Sequence, residues 1–200
     1  KNPPIDGNVY QYNEWLSEYD GVGKYKTISC WNGVNTVKLL ISNSENKAAS
    51  DELVSQVQEY FDPPTATIND DVEDVNYPQG RGMGNGQAPI GAIVTVATIT
   101  EVPVTVNCKL VLKDGYNSPV GVQEVVEKYL DSLALNKTTV SYMAISAEIY
   151  NAESVADVTS LTITVNGTVM DTSHTPFIPS VTIQDDEVAV LDMENSTWEV

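Results

Sequence analysis

The chain has 200 residues, 28 acidic and 10 basic side chains, a formal net charge of −18 and 42% hydrophobic residues. A chain this long buries about 70% of its unfolded surface, so it needs neither metal nor disulfide to fold as one large domain or two small ones. Its acidic balance repels nucleic acid and anionic membranes alike, and no run approaches the ~18 apolar residues of a membrane span.

No signal peptide is visible, and the start at Lys1-Asn2-Pro3-Pro4 without a methionine reads as a piece of a longer protein. Residues 8–19 predict a helix, with Asn8 as its cap and Gln11 three positions later. Tyr12, Trp15, Leu16 and Tyr19 form its apolar stripe. Strands follow over Tyr25 to Trp31 and Thr36 to Ser42, separated by the turn pair Asn32-Gly33, with Val37, Leu39 and Ile41 on one face. Ser50 is a natural cap for a second helix, and Asp51 and Glu52 complement its dipole. Leu53, Val54, Val57, Tyr60 and Phe61 keep helical spacing until Asp62-Pro63-Pro64 stops it.

Residues 65–91 form the longest irregular region: an acidic run at 69–76, then a loop dense in glycine. Strands are expected at 92–99 and 102–112, the latter alternating through Val102, Val104, Val106, Cys108, Leu110 and Leu112. Thr100-Glu101 is the expected lobe boundary. Ser118-Pro119 predicts a helix start with proline at its favoured first position, followed by Val122, Val125, Val126, Tyr129, Leu130 and Leu133. A further helix is expected over Ser141 to Tyr150, and strands over Val158 to Val165 and Val188 to Leu191. The tail from Asp192 is polar except for Trp198. The expected class is α+β: two small mixed lobes in series, 1–100 including the 65–91 loop, and 101–200.

Catalytic constellations are thin. His174, in the loop signature Ser173-His174-Thr175-Pro176, is the only histidine. Ser-His-Asp and Cys-His chemistry would therefore need Cys30 or Cys108 beside it. Each cysteine sits in an apolar stretch and reads as a buried, reduced thiol. One histidine and two separated cysteines do not make a zinc site. The acidic runs at 69–76 and Asp185-Asp186-Glu187 lack the spacing and central glycine of an EF-hand, and read as solvated turns. No catalytic, cofactor or metal residues are assigned. Trp15 reads as core, and Trp31 stays open between core and interface. Trp198 is either a docking residue or part of an unstructured end.

The stretch Gly80-Arg81-Gly82-Met83-Gly84-Asn85-Gly86-Gln87-Ala88-Pro89-Ile90-Gly91-Ala92 invites a phosphate-loop reading and fails it. No Lys-Ser or Lys-Thr pair follows the glycines, and strand residues rather than a helix come next. The loop resembles instead the "GxGxAPIGA" signature of baseplate J-like proteins of contractile phage tails, of the Mu-like and PBSX-like kind. The resemblance extends to Tyr12 through Gly23, to Cys30-Trp31-Asn32-Gly33 through Val37, and to the 50–61 helix closed by Asp62-Pro63. It continues in Val94 to Val106, in Val155-Ala156-Asp157 through Gly167, and in Asp186 to Leu191, where Ala189 stands in place of a frequent proline.

The resemblance implies the C-terminal portion of a structural baseplate wedge protein, located in the virion tail and assembled in the bacterial cytoplasm. It implies no catalysis and no cofactor. Its partners would be other wedge proteins and copies of itself, with neither nucleic acid nor membrane, and the isolated piece could be monomeric. On this reading the 65–91 segment reaches a neighbouring subunit, and Arg81, Met83, Asn85, Gln87 and Trp198 are the candidate interface residues. Removing Gly80 to Gly86 is expected to spare folding and block assembly. The rival expectation is a carbohydrate-binding or carbohydrate-cleaving tail module.

Overall fold

The computed structural model describes residues 7–64, 80–136 and 138–200. The first helix, α1 (Val9–Glu18), starts where Asn8 Oδ1 accepts the Gln11 N–H at 2.9 Å. Gln11 Oε1 reaches back to accept the Gly7 N–H at 2.7 Å, so two of the helix's orphan donors are satisfied within one turn. Strands β1 (Val22–Ser29) and β2 (Thr36–Asn43) pair antiparallel. Helix α2 (Asp51–Phe61), capped by Ser50 Oγ accepting the Leu53 N–H, then returns the chain so that β3 (Ile93–Thr98) lies parallel to β2.

The sheet order is β1-β2-β3. Leu39 and Ile41 from β2 and Val94 and Val96 from β3 meet Tyr12 and Leu16 of α1 and Val57 and Phe61 of α2 in one core. Both helices therefore cover the same face of the sheet. An aromatic chain ties them together: Tyr12 stacks on Phe61 at 5.8 Å between centroids, and Tyr60 meets both Phe61 and Tyr19 edge-on at 5.1 Å. Such pairs add about 0.5–1.5 kcal/mol each beyond their buried area.

The chain divides into two compact units at Ile99 and Thr100. The second is organised by β4 (Thr100–Leu112), whose alternation buries Val102 through Leu110 on one face. On one edge β4 pairs antiparallel with β6 (Val155–Val165), which turns at Asn166-Gly167, both at positive φ, into β7 (Thr168–Asp171). Two short parallel strands share its other edge: β9 (Glu187–Leu191) along Thr100 to Val104, and β10 (Thr197–Glu199) along Asn107 to Lys109. Between them the Val106 N–H donates to Ser196 Oγ and the Asp192 N–H to the Val104 carbonyl, so the ladder is not interrupted. Helices α3 (Val122–Leu133) and α4 (Tyr142–Asn151) bury Val126, Leu130, Ile145 and Ile149 in this unit's core. Strands β5 (Thr139–Ser141) and β8 (Ser180–Thr182) form a small separate ribbon.

The architecture is α+β, as its sequence predicts. Four details differ. Helix α3 begins at Val122, not at Ser118-Pro119, because Gly121 sits at φ +80° and a left-handed residue cannot lie inside a helix. The polar tail forms β10. Strands β5, β7 and β8 are too short to show a period. Cys30 is exposed at φ +55° beyond the end of β1, whereas Cys108 is buried in β4.

Burial pushes the Cys108 thiol up to about 12. Burial, with the Asp62 carboxylate as a secondary cause, pushes the Tyr12 hydroxyl up to about 12. Both groups keep their protons in the folded chain at pH values where the unfolded chain ionises them, so their contribution is intact below about pH 8.5 for the thiol and about pH 10 for the phenol. It is lost as pH rises toward 12. The urea midpoint is expected to fall between pH 8 and about pH 11, and a midpoint unchanged over that range would contradict these burial effects.

Candidate functional site

Among the described residues β3 is an edge strand, and its outer edge is met by side chains rather than by another strand. Gln58, on the last turns of α2, donates from Nε2 to the Val94 carbonyl at 3.0 Å and accepts the Val96 N–H on Oε1 at 2.9 Å. Its Nε2 also donates to the Asp62 carbonyl at 3.1 Å. Asp62, immediately past the helix, accepts the Val94 N–H on Oδ2 at 3.0 Å and the Gly82 N–H on Oδ1 at 2.8 Å. Both residues are buried. An unpaired backbone group in such a place costs about 1–3 kcal/mol, so these contacts are obligatory.

The glycine loop completes the arrangement. The Gln87 and Ala88 N–H groups donate to the Tyr60 and Phe61 carbonyls at 3.0 and 2.9 Å, satisfying acceptors at the helix end. The Gly91 N–H closes the loop onto the Gly82 carbonyl at 2.7 Å. A Cβ at Gly86 would stand 2.4 Å from the Phe61 carbonyl oxygen, so only glycine permits this approach. Loop amides at Gly82, Gln87, Ala88 and Gly91 all point inward to protein acceptors, the reverse of a phosphate cradle. The described part of the loop, 80–91, is thus built into its own unit. Removing Gly80 to Gly86 would take away the Gly82 N–H that Asp62 accepts and the close approach of Gly86 to the Phe61 carbonyl. The acidic run 69–76 lies outside the described residues.

Of the residues singled out by sequence, Met83, Asn85 and Gln87 are exposed on the outer side of the loop. Arg81 is half-buried, its buried Nε without a hydrogen-bond partner among the described residues, beside Glu59 in a cleft between α2 and β3. Trp198 lies in β10 of the second unit, half-buried against that unit's core, whereas the glycine loop belongs to the first unit. His174 is exposed, its Nδ1 3.9 Å from Asp171. The Ser173 N–H, donating to Asp171, is the main cause that holds that carboxyl below its ordinary range. Among the described residues no three His, Cys, Asp or Glu side chains gather as metal ligands, and no helix is long and apolar enough to cross a membrane.

Sequence reasoning missed Gln58 and read Asp62 only as a helix stop. A signal existed: Gln58 falls between Val57 and Phe61 on the stripe that faces the core, where a polar residue needs a partner.

Residues 5–98 match the family model described as the baseplate J-like central domain. Over 167 residues the chain is 31% identical to the phage-like element PBSX protein XkdT of Bacillus subtilis (strain 168), covering 82% of this chain and 43% of that protein. It is 31% identical over 156 residues to the uncharacterized protein YqbT of the same strain, covering 76% of this chain and 40% of that one. The chain thus spans about two fifths of the length of these relatives. A chain in the cryo-EM structure of the anti-feeding prophage baseplate, 6-fold symmetrised, superposes with a TM-score of 0.49 at 10% identity, covering 88% of this chain and 35% of that one, a likeness too loose to define a shared fold. The chain belongs to the baseplate J-like family.

Replacing Gln58 by Ala strands the Val94 carbonyl and the Val96 N–H, and is expected to lower the stability of the first unit by about 2–4 kcal/mol. Gly86→Ala, which forces the loop off Phe61, is expected to lower it comparably. Urea unfolding followed by tryptophan fluorescence checks both, and midpoints within error of wild type would refute the closure.

Proposed function

We propose that this chain is a structural part of the baseplate of a phage tail or prophage-derived particle, and within it of the wedge. It works by protein–protein contact, without catalysis and without a cofactor. Its partners are other wedge proteins and further copies of the same protein, in a particle assembled in the bacterial cytoplasm. The observation that carries this reading is family membership across the first unit, joined to the form of its glycine loop. The inward hydrogen bonds fix the loop, so Met83, Asn85 and Gln87 project from an ordered base, and an ordered base lowers the entropy lost on docking. Met83 is 49% exposed, an apolar contact surrounded by glycine and amide side chains. The two-fifths coverage of the relatives means that the remainder of such a protein would supply further contacts.

The direct test is complementation of a prophage whose own copy of the gene is deleted. The wild-type protein is expected to restore intact tails seen by negative-stain microscopy. Met83→Asp combined with Asn85→Asp is expected to reduce them about tenfold, equivalent to ~1.4 kcal/mol at the contact, while the purified chain melts like wild type. Wild-type numbers of tails from the double variant would remove the loop from the interface. Tails that form without the protein, or release of cell-wall sugars by the purified chain, would refute the structural role itself.

A further inference from the structure

Charge in the first unit is sorted by layer. Helices α1 and α2 carry no Lys or Arg, while Glu14, Glu18, Asp51, Glu52 and Glu59 stand exposed on them and Asp20 just beyond α1. The β1–β2 hairpin, residues 21–44, has the opposite composition: Lys24, Lys26 and Lys38 and no acidic residue. Where the C-terminal end of α1 meets the last turns of α2, a solvent-open hollow of about 440 Å3 is lined by Glu18, Tyr19, Asp20, Gln56 and Tyr60. The Tyr19 and Tyr60 rings meet edge-on there, 5.1 Å between centroids. Burial first, then Tyr60 and the Glu59 carboxylate, push the Tyr19 hydroxyl up, so the ring stays neutral within reach of the Glu59 charge. No basic side chain occupies the last turn of α1, and the negative end of its dipole adds to the same field.

We propose that this hollow receives an arginine side chain from a basic segment of a partner protein. Carboxylates alone attract any solvent cation; the paired rings add the wall that an organic cation needs. Tyrosine rings attract cations, and a guanidinium, planar and weakly hydrated, lies against such a ring more readily than an ammonium. The Glu18 and Asp20 carboxylates at the rim offer acceptors for its N–H fork. A metal ion suits the site less well, since among the described residues no three ligating side chains gather. The same unit already makes a contact of this kind within itself, with the Lys38 ammonium 5.4 Å from the centre of the exposed Trp31 ring. The net charge of −18 also draws a basic segment in and holds an acidic one off. That the arginine belongs to a protein of the particle rests on the baseplate role proposed above, whereas the binding itself is a property of the purified chain.

The test is a titration of the purified 200-residue chain with Nα-acetyl-arginine methylamide, followed by amide chemical shifts at ~0.05 M and ~0.5 M salt. Saturable shifts are expected at Tyr19, Asp20, Gln56 and Tyr60, with a millimolar Kd that weakens at the higher salt. The uncharged norleucine analogue is expected to shift none of them. Glu18→Gln combined with Asp20→Asn, both at exposed positions, should melt like wild type and bind the probe about fivefold more weakly. Glu14→Gln combined with Glu45→Gln removes the same charge outside the hollow and should bind like wild type. Absence of saturable shifts, equal shifts with the norleucine analogue, or equal weakening in both double variants would overturn the proposal. In the prophage complementation, the Glu18→Gln, Asp20→Asn variant is expected to yield fewer tails than wild type. Wild-type numbers of tails would overturn docking at this hollow, whereas the structural role itself fails only if tails form without the protein.

Discussion

An edge strand of a sheet presents a row of unpaired donors and acceptors, and the first unit depends on how those of β3 are met. Gln58 and Asp62 take the place of a neighbouring strand, bonding the N–H groups of Val94 and Val96 and the carbonyl of Val94. The closure blunts an edge that would otherwise recruit another chain. It also fixes the end of α2 against the sheet, and Asp62 carries the same anchoring to the glycine loop through Gly82. Helix, sheet edge and loop are thus held by a connected network of buried hydrogen bonds. In a buried network each bond matters more than its average worth, because losing one partner leaves the others unsatisfied.

The second unit answers its edge problem differently. β4 is long enough to hold β6 on one side and two short strands, β9 and β10, in succession on the other, with Ser196 and Asp192 bridging the gap. Backbone pairing covers both sides of β4, where side chains cover the outer side of β3. The contrast bears on function. In the first unit the loop amides face inward while Met83, Asn85 and Ile90 face out, so rigidity and exposure coincide in one segment. That combination suits a docking surface, which gains affinity when its contacts are held in place before the partner arrives.

Much of this was readable from sequence, and the exceptions have physical causes. Helices α1 and α2 are announced by caps and apolar stripes that the structure keeps, with Asn8 and Ser50 each accepting a backbone N–H, and α4 falls within the stretch expected from Ser141 to Tyr150. The alternation in β4 is strong enough to place its buried face residue by residue. The start of α3 was misplaced because proline at 119 imitates a helix start, and a glycine's left-handed φ leaves no mark in a hydrophobic pattern. β10 was missed because a three-residue strand is specified by the β4 edge it joins rather than by its own composition. Cys30 looked buried from its apolar neighbours but falls past the end of β1. The loop resemblance pointed to the family, yet the loop's direction was not legible. Whether glycines reach outward or permit close approach inward depends on partners about twenty to thirty residues away in sequence, here Tyr60, Phe61 and Asp62.

Native-state amide hydrogen exchange tests the central claim, that the glycine loop is an integral part of the first unit, most directly. The N–H groups of Gly82, Gln87, Ala88, Val94 and Val96 should exchange with opening free energies close to those of Leu39 and Ile41 in the central strand, because all depend on one cooperative network. Fast exchange at Gly82, Gln87 and Ala88 with β2 fully protected would contradict the account, and would return the loop to the role of a free arm.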